Sequence, residues 1–282
     1  MGTTIEEKRL ECKHHSMLMF YIPFVYAIKT RFLRRSKLGV LVWGTEYLIP
    51  VLLAMYLANQ EAFFTIQTLL SLVGVYNFYE IGYIQNDCET IKKEKHPTLR
   101  ISPSGLAYYE KYKVIIYGFR LVIGVLLSCI FIYWNVSYVV ILSFWSIIPI
   151  YMLYNGIRGR INLYFIVVLT AYRYCMPLFL FTSTYSQNWG ISILVLFLSY
   201  PIIKLIEICS GGKGLPQERW TKFFMSHYDK RFSFRIKYYV TLSIGICLFL
   251  LYLGTSIQFC IIPFYFFLLR LGQVNMPKLG AR

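Results

Sequence analysis

Asp87 and Glu207 are the acids best placed to act on a phosphate ester, since each closes an apolar stretch at the edge of a long polar loop. Asn86 precedes Asp87, Glu94 follows in the same loop, and Lys93, Lys95, His96 and Arg100 crowd around them. Mg²⁺ is a hard cation, commonly bound through one or two carboxylates together with substrate phosphates and water. The oxygen-bearing side chains Asn86, Asp87, Glu94 and Glu207 are therefore the expected metal ligands, and Asp87 and Glu207 the expected catalytic pair. A metal held there would act as a Lewis acid on a diphosphate leaving group. The competing expectation is that Asp87 and Glu207 only cap helix ends in salt bridges.

The basic residues fit the same substrate chemistry. Arginine grips phosphate through a bidentate fork and lysine acts as a point charge. Arg100 and His96 flank Pro97, which restricts the backbone between them. Lys213 sits in a Gly211–Gly212–Lys213–Gly214 run, where glycine lets the backbone approach an anion. Arg173, between Tyr172 and Tyr174, falls mid-way along an apolar stretch. Ionisable groups at bilayer depth usually face an interior cavity, so Arg173 is a candidate for an anionic head group. Structural pairs Arg120–Glu80 or Arg173–Glu46 are the alternative for the buried charges.

These residues have to be positioned by helices. The chain has 282 residues, is 57% hydrophobic and only 15% charged, with a mean hydropathy of +0.53. That composition belongs to polytopic membrane proteins, and a spanning helix takes about 20 apolar residues. Candidate spans fall at roughly 38–58, 62–85, 114–133, 136–154, 162–183, 188–208, 236–254 and 256–272. The expected fold is an all-α membrane protein of about eight transmembrane helices. These divide into two four-helix halves, 38–157 and 158–282, of one catalytic domain, 38–282. Residues 1–37 form a hydrophilic N-terminus followed by an apolar segment, 17–28, too short to span and expected to lie as an interfacial helix. No secretory signal peptide is expected.

The net charge of +16 does not point to nucleic acid. The connections at 59–61, 134–135, 184–187 and 255 hold no Lys or Arg, whereas the alternate loops and both ends are basic. By the positive-inside rule both termini and both long loops are cytoplasmic. Seven scattered Cys without a Cys-x-x-Cys pair give no zinc site or disulfide framework. Gly-x-Ser-x-Gly, Walker A and His-Glu-x-x-His motifs are absent.

The chain resembles the UbiA-type prenyltransferase superfamily, in which the second and sixth helices run into acidic cytoplasmic loops. Asn86-Asp87 and Glu94 match positions of the family's first motif, with Thr90 where a middle Asp is usual. The run His96-Pro97-Thr98-x-Arg100 with Pro103-Ser104-Gly105 is similar to the branch that transfers phosphoribose to decaprenyl phosphate. Lys204 with Glu207, Ser226 to Phe232, and Arg173 are also similar to that branch. The resemblance implies Mg²⁺-dependent transfer of phosphoribose from phosphoribosyl diphosphate to a polyprenyl phosphate. Lys93, Lys95, His96 and Arg100 would neutralise the diphosphate, with Arg173 and Lys204 orienting the lipid head group. It implies a cytoplasmic-face enzyme of the bacterial inner membrane, serving cell-envelope glycan synthesis. The alternative within the family is prenyl transfer from a prenyl diphosphate to an aromatic or other acceptor. A lipid carrier without chemistry is the third reading.

Overall fold

The structure is a computed structural model that describes residues 17–34, 38–59, 65–93, 98–157, 159–181, 187–211 and 217–275. Those residues are helical and contain no strand. The long helices are α1 (Gly39–Ala58), α2 (Ile66–Cys88), α3 (Pro103–Tyr133), α4 (Tyr138–Gly156), α5 (Ile161–Phe181), α6 (Asn188–Cys209), α7 (Arg231–Tyr252) and α8 (Ile261–Asn275). Among the described residues, six stretches are long and apolar enough to cross a membrane: α1, α3, α4, α5, α6, and α7 with the 3-10 turn before it. Helix α8 is shorter, and α2 falls outside that set while carrying Asn77, Glu80, Asn86 and Asp87.

Local chemistry sets the helix boundaries. Ser102 accepts a hydrogen bond from the Gly105 N–H at 3.2 Å, with Pro103 at the first helical position, so α3 starts where Ser-Pro dictates. Ser137 caps α4 in the same way through the Val139 N–H. Pro201 cannot donate to the helical ladder, and α6 widens into a π turn over Leu198–Ile202 around it.

The chain divides into two compact units. The first comprises the described residues of Met1–Trp43 and Ile66–Arg158; the second comprises those of Gly44–Thr65 and Gly159–Arg282. This boundary differs from a division at 157, because most of α1 belongs with the C-terminal helices. Its residues are tied there by polar bonds: Tyr265 donates to the Thr45 carbonyl at 2.8 Å, Tyr174 to the Glu46 carbonyl at 2.6 Å, and Arg270 to the Glu46 carboxylate at 2.6 Å.

In the first unit the 17–28 segment packs against the long helices and is broken into short turns. It folds into a 3-10 turn, Met17–Phe20, and a short helix, Val25–Ala27, with Met19, Phe20, Tyr26 and Ala27 fully buried. Met19, Phe20 and Tyr26 pack on Ile84 and Cys88 of α2 and on Tyr109 and Ile116 of α3. A buried ion pair holds the segment in place. Arg120 of α3 lies 2.9 Å from Glu80 of α2, and both side chains are wholly enclosed. Arg120 also donates to the Phe20 carbonyl at 2.8 Å, and Glu80 accepts from the Ala27 N–H at 2.7 Å. The alternative pairing Arg120–Glu80 is thus realised, whereas the ion partner of Glu46 is Arg270.

Helices α2 and α4 approach closely at Gly82, where an added Cβ would fall 2.2 Å from the Tyr151 ring. Gly82→Ala is therefore expected to lower stability by about 1–3 kcal/mol through overpacking. Gly118→Ala, where a Cβ meets nothing within 4 Å, should leave the thermal midpoint of the detergent-solubilised protein unchanged or raise it. Equal midpoints for the two variants would contradict the close packing.

Candidate functional site

The first unit places Asp87 at the last turn of α2, where it organises two arginines. Arg31, from the π turn Ile28–Phe32, and Arg100, from the segment before α3, each reach the same Asp87 oxygen at 2.9 Å. The Asn86 amide donates to that oxygen at 3.2 Å, and the Tyr26 hydroxyl donates to the other at 3.0 Å. The Asp87 side chain is fully enclosed, while Arg31 and Arg100 keep 19% and 28% of theirs exposed. Arg31 also lies 4.7 Å over the Tyr83 ring, a cation–π geometry. Its second terminal nitrogen, Nη1, is buried with no hydrogen-bond partner among the described residues.

Burial, reinforced by the neighbouring Asp87 charge, pushes the Tyr26 hydroxyl well above its usual 10. It therefore stays a neutral donor to Asp87. For Arg31, burial works against the charge, but the Asp87 carboxylate outweighs it and holds the guanidinium above its usual value. The outcome is two fixed guanidinium groups on one carboxylate, with one positive charge in excess.

The second unit gathers a larger constellation. Glu207, at the end of α6, is gripped by Arg235 of α7 through a two-point guanidinium–carboxylate contact, one arm of it 2.8 Å long. Lys204, one turn earlier on α6, stands 3.9 Å from Glu207. Lys204 also lies within electrostatic reach of Glu46, Arg173 and Arg235, and Glu46 within reach of Arg235 and Arg270. Arg173 of α5 lies 5.4 Å over the Tyr47 ring and 5.6 Å over that of Tyr174, which stacks on Tyr200 at 4.3 Å. Four basic side chains, Arg173, Lys204, Arg235 and Arg270, thus face two carboxylates, Glu46 and Glu207. Arg173, Lys204 and Arg235 sit on helices apolar enough to span a membrane, and Arg270 on the shorter α8.

Of the residues expected from sequence, the structure brings Arg100, Asn86 and Asp87 together in the first unit, and Arg173, Lys204 and Glu207 together in the second. Glu94, Lys95, His96 and Lys213 lie outside the described residues, as does the side chain of Lys93. The constellations add Arg31, Tyr26, Arg235 and Arg270. Arg270 carried a usable signal, because it is a lone cation within the last apolar stretch and such residues are seldom idle. Arg31 and Arg235 carried none, being embedded in basic runs that topology already explains.

Asn86, Asp87 and Glu207, the described members of the expected Mg²⁺ set, are engaged with groups of the protein itself. Both Asp87 oxygens are occupied by cationic or neutral N–H and O–H donors, and both Glu207 oxygens by Arg235. The Asn86 amide points its N–H at Asp87. Among the described residues, no three His, Cys, Asp or Glu side chains come together as a metal-binding group. Both constellations are built from guanidinium and ammonium groups held on carboxylates. Comparison with protein-family models, curated proteins and solved structures gives no match.

Proposed function

We propose that the chain transfers phosphoribose from phosphoribosyl diphosphate to a polyprenyl phosphate at the cytoplasmic membrane face. The observation that supports this most is the gathering of Arg173, Lys204, Arg235 and Arg270 about Glu46 and Glu207. Arginine and lysine are the side chains that bind phosphate, and a phosphate monoester supplies up to two negative charges. An isoprenoid phosphate brings that anion on a chain suited to the bilayer.

The Arg31–Asp87–Arg100 arrangement is a further candidate for a phosphate-bearing ligand. Arg31 and Arg100 are pre-aligned by Asp87, so little side-chain freedom is lost when an anion binds. Asp87 acts as a positioning residue for the two guanidinium groups. An oxygen of the lipid phosphate forms a bond to the sugar C1 while the C1–O bond to diphosphate breaks, and the diphosphate leaves with the electron pair. The nucleophile is already anionic and needs no general base. Cationic side chains at the leaving group would neutralise the charge that develops on it. Mg²⁺ enters this scheme as a complex with the donor, as part of the substrate.

A second reading is favoured by the engagement of Asp87 and Glu207 with arginines: a carrier of the lipid phosphate that performs no chemistry. Radiolabelled phosphoribosyl diphosphate, incubated with the purified protein and undecaprenyl phosphate in Mg²⁺ buffer, separates the two. Transfer predicts label in the organic phase, reduced about 10- to 100-fold in Asp87→Ala, the scale of losing charge-assisted hydrogen bonds. Lipid binding without label transfer would leave the carrier reading.

A further inference from the structure

The second unit contains an apolar groove of about 660 Å³ between α6 and α7, within the roughly 300–1,000 Å³ of small-molecule sites. Leu194 and Leu198 form one wall, and Leu242, Gly245 and Phe249 another. Both helices are long and apolar enough to span a membrane, and in a bilayer a groove along them would meet hydrocarbon. At one end stand Lys237 and two aromatic rings, Phe223 and Phe224, 89% and 47% exposed. Phe223 closes the 3-10 helix Arg219–Phe223, whose exposed Arg219, Lys222 and Trp220 give it an aromatic and basic surface. Exposed Lys230 follows it in the chain. Aromatic rings beside cations are the chemistry of the headgroup layer, and basic clusters there favour anionic lipids.

This groove is separate from the charged constellation. Tyr238, which lines it, donates to the Leu198 carbonyl at 2.6 Å, and Tyr239 donates to the Ser199 carbonyl at 2.8 Å. The two bonds form a seam between α6 and α7. Tyr200, two residues beyond Leu198, is stacked on Tyr174 with the cations. None of Arg173, Lys204, Arg235 or Arg270 lines the groove.

We propose that the groove holds one acyl chain of an anionic glycerophospholipid from the surrounding bilayer, with its phosphate at Lys237. The charge at the groove mouth sets the headgroup preference, and the apolar walls take the chain. This proposal does not rest on the transfer reaction, since it concerns a different set of residues.

Native mass spectrometry of the full-length, delipidated protein in detergent tests it, with phosphatidylglycerol, phosphatidylcholine or undecaprenyl phosphate added back. Gly245→Phe fills the groove from a position where a Cβ meets nothing within 4 Å, so folding should survive. Gly245→Ala and thermal unfolding serve as controls. Expected is one retained phosphatidylglycerol, preferred over phosphatidylcholine by roughly tenfold. It should be lost in Gly245→Phe, and the preference lost in Lys237→Glu. Equal retention of the two phospholipids, or retention in folded Gly245→Phe matching wild type, would overturn the proposal. So would undecaprenyl phosphate displacing phosphatidylglycerol and depending on Gly245 in its place, which assigns the groove to a substrate tail.

Discussion

Arg120→Leu is expected to destabilise the first unit by about 3–5 kcal/mol, the cost of leaving one member of a buried ion pair alone. Glu80 would lose its cation while fully enclosed, and the Phe20 carbonyl would lose its donor. The Met17–Phe20 turn and the Val25–Ala27 helix rest on these contacts, so loss should spread to the N-terminal segment. Glu80→Gln keeps an acceptor for the Ala27 N–H and should cost less. The double variant Glu80→Leu/Arg120→Met removes both charges and should recover part of the loss, but not all, because the carbonyl stays unsatisfied. Thermal unfolding in detergent, with proteolysis near residue 24 as a local readout, checks the order. If Arg120→Leu melted like wild type, the pair would not be what anchors the segment.

Lys204→Ala should weaken binding of a polyprenyl phosphate by about 10- to 100-fold, the scale of one charge-assisted hydrogen bond at about 1.4 kcal/mol per decade. This substitution is the cleanest probe of the second constellation. The two-point Arg235–Glu207 contact remains, so the helix seam is kept while one positive charge is removed. Arg270→Gln should weaken the same lipid and also lower stability, since Glu46 loses its ion partner. A split of this kind, affinity without stability for Lys204 and both for Arg270, distinguishes ligand contact from scaffolding. If Lys204→Ala bound the lipid phosphate as tightly as wild type, Lys204 would have no ligand role. Loss of affinity for a neutral polyprenol in step with the phosphate would contradict it equally.

The helical plan was legible because each apolar stretch is long and its punctuation is local. Ser102-Pro103 starts α3, and Ser137 caps α4, as their chemistry requires. The 17–28 segment was not legible. Its length argues against a span, and hydropathy alone cannot separate a buried wedge from a surface helix. What decides it is Arg120, 100 positions away from Phe20 in sequence, donating to a backbone carbonyl. The site was half legible for a similar reason. Asp87, Arg100, Arg173, Lys204 and Glu207 stand out by type and setting. The neighbours that fix their chemistry, Arg31 on Asp87 and Arg235 on Glu207, come from segments 56 and 28 positions away. Spacing shows Asp87 and Glu207 as acids at loop edges, whereas the arginines on both come from tertiary contacts. Glu46 shows the same limit, since its partner Arg270 lies 224 positions on.

The most direct test is a binding isotherm of the purified protein with undecaprenyl phosphate against undecaprenol, the same chain without the anion. A preference for the phosphate of about tenfold or more, falling as salt rises and abolished in Lys204→Ala, is the predicted result. Equal affinity for the two lipids at low salt would contradict the assignment of the Arg173–Lys204–Arg235–Arg270 constellation to a lipid phosphate.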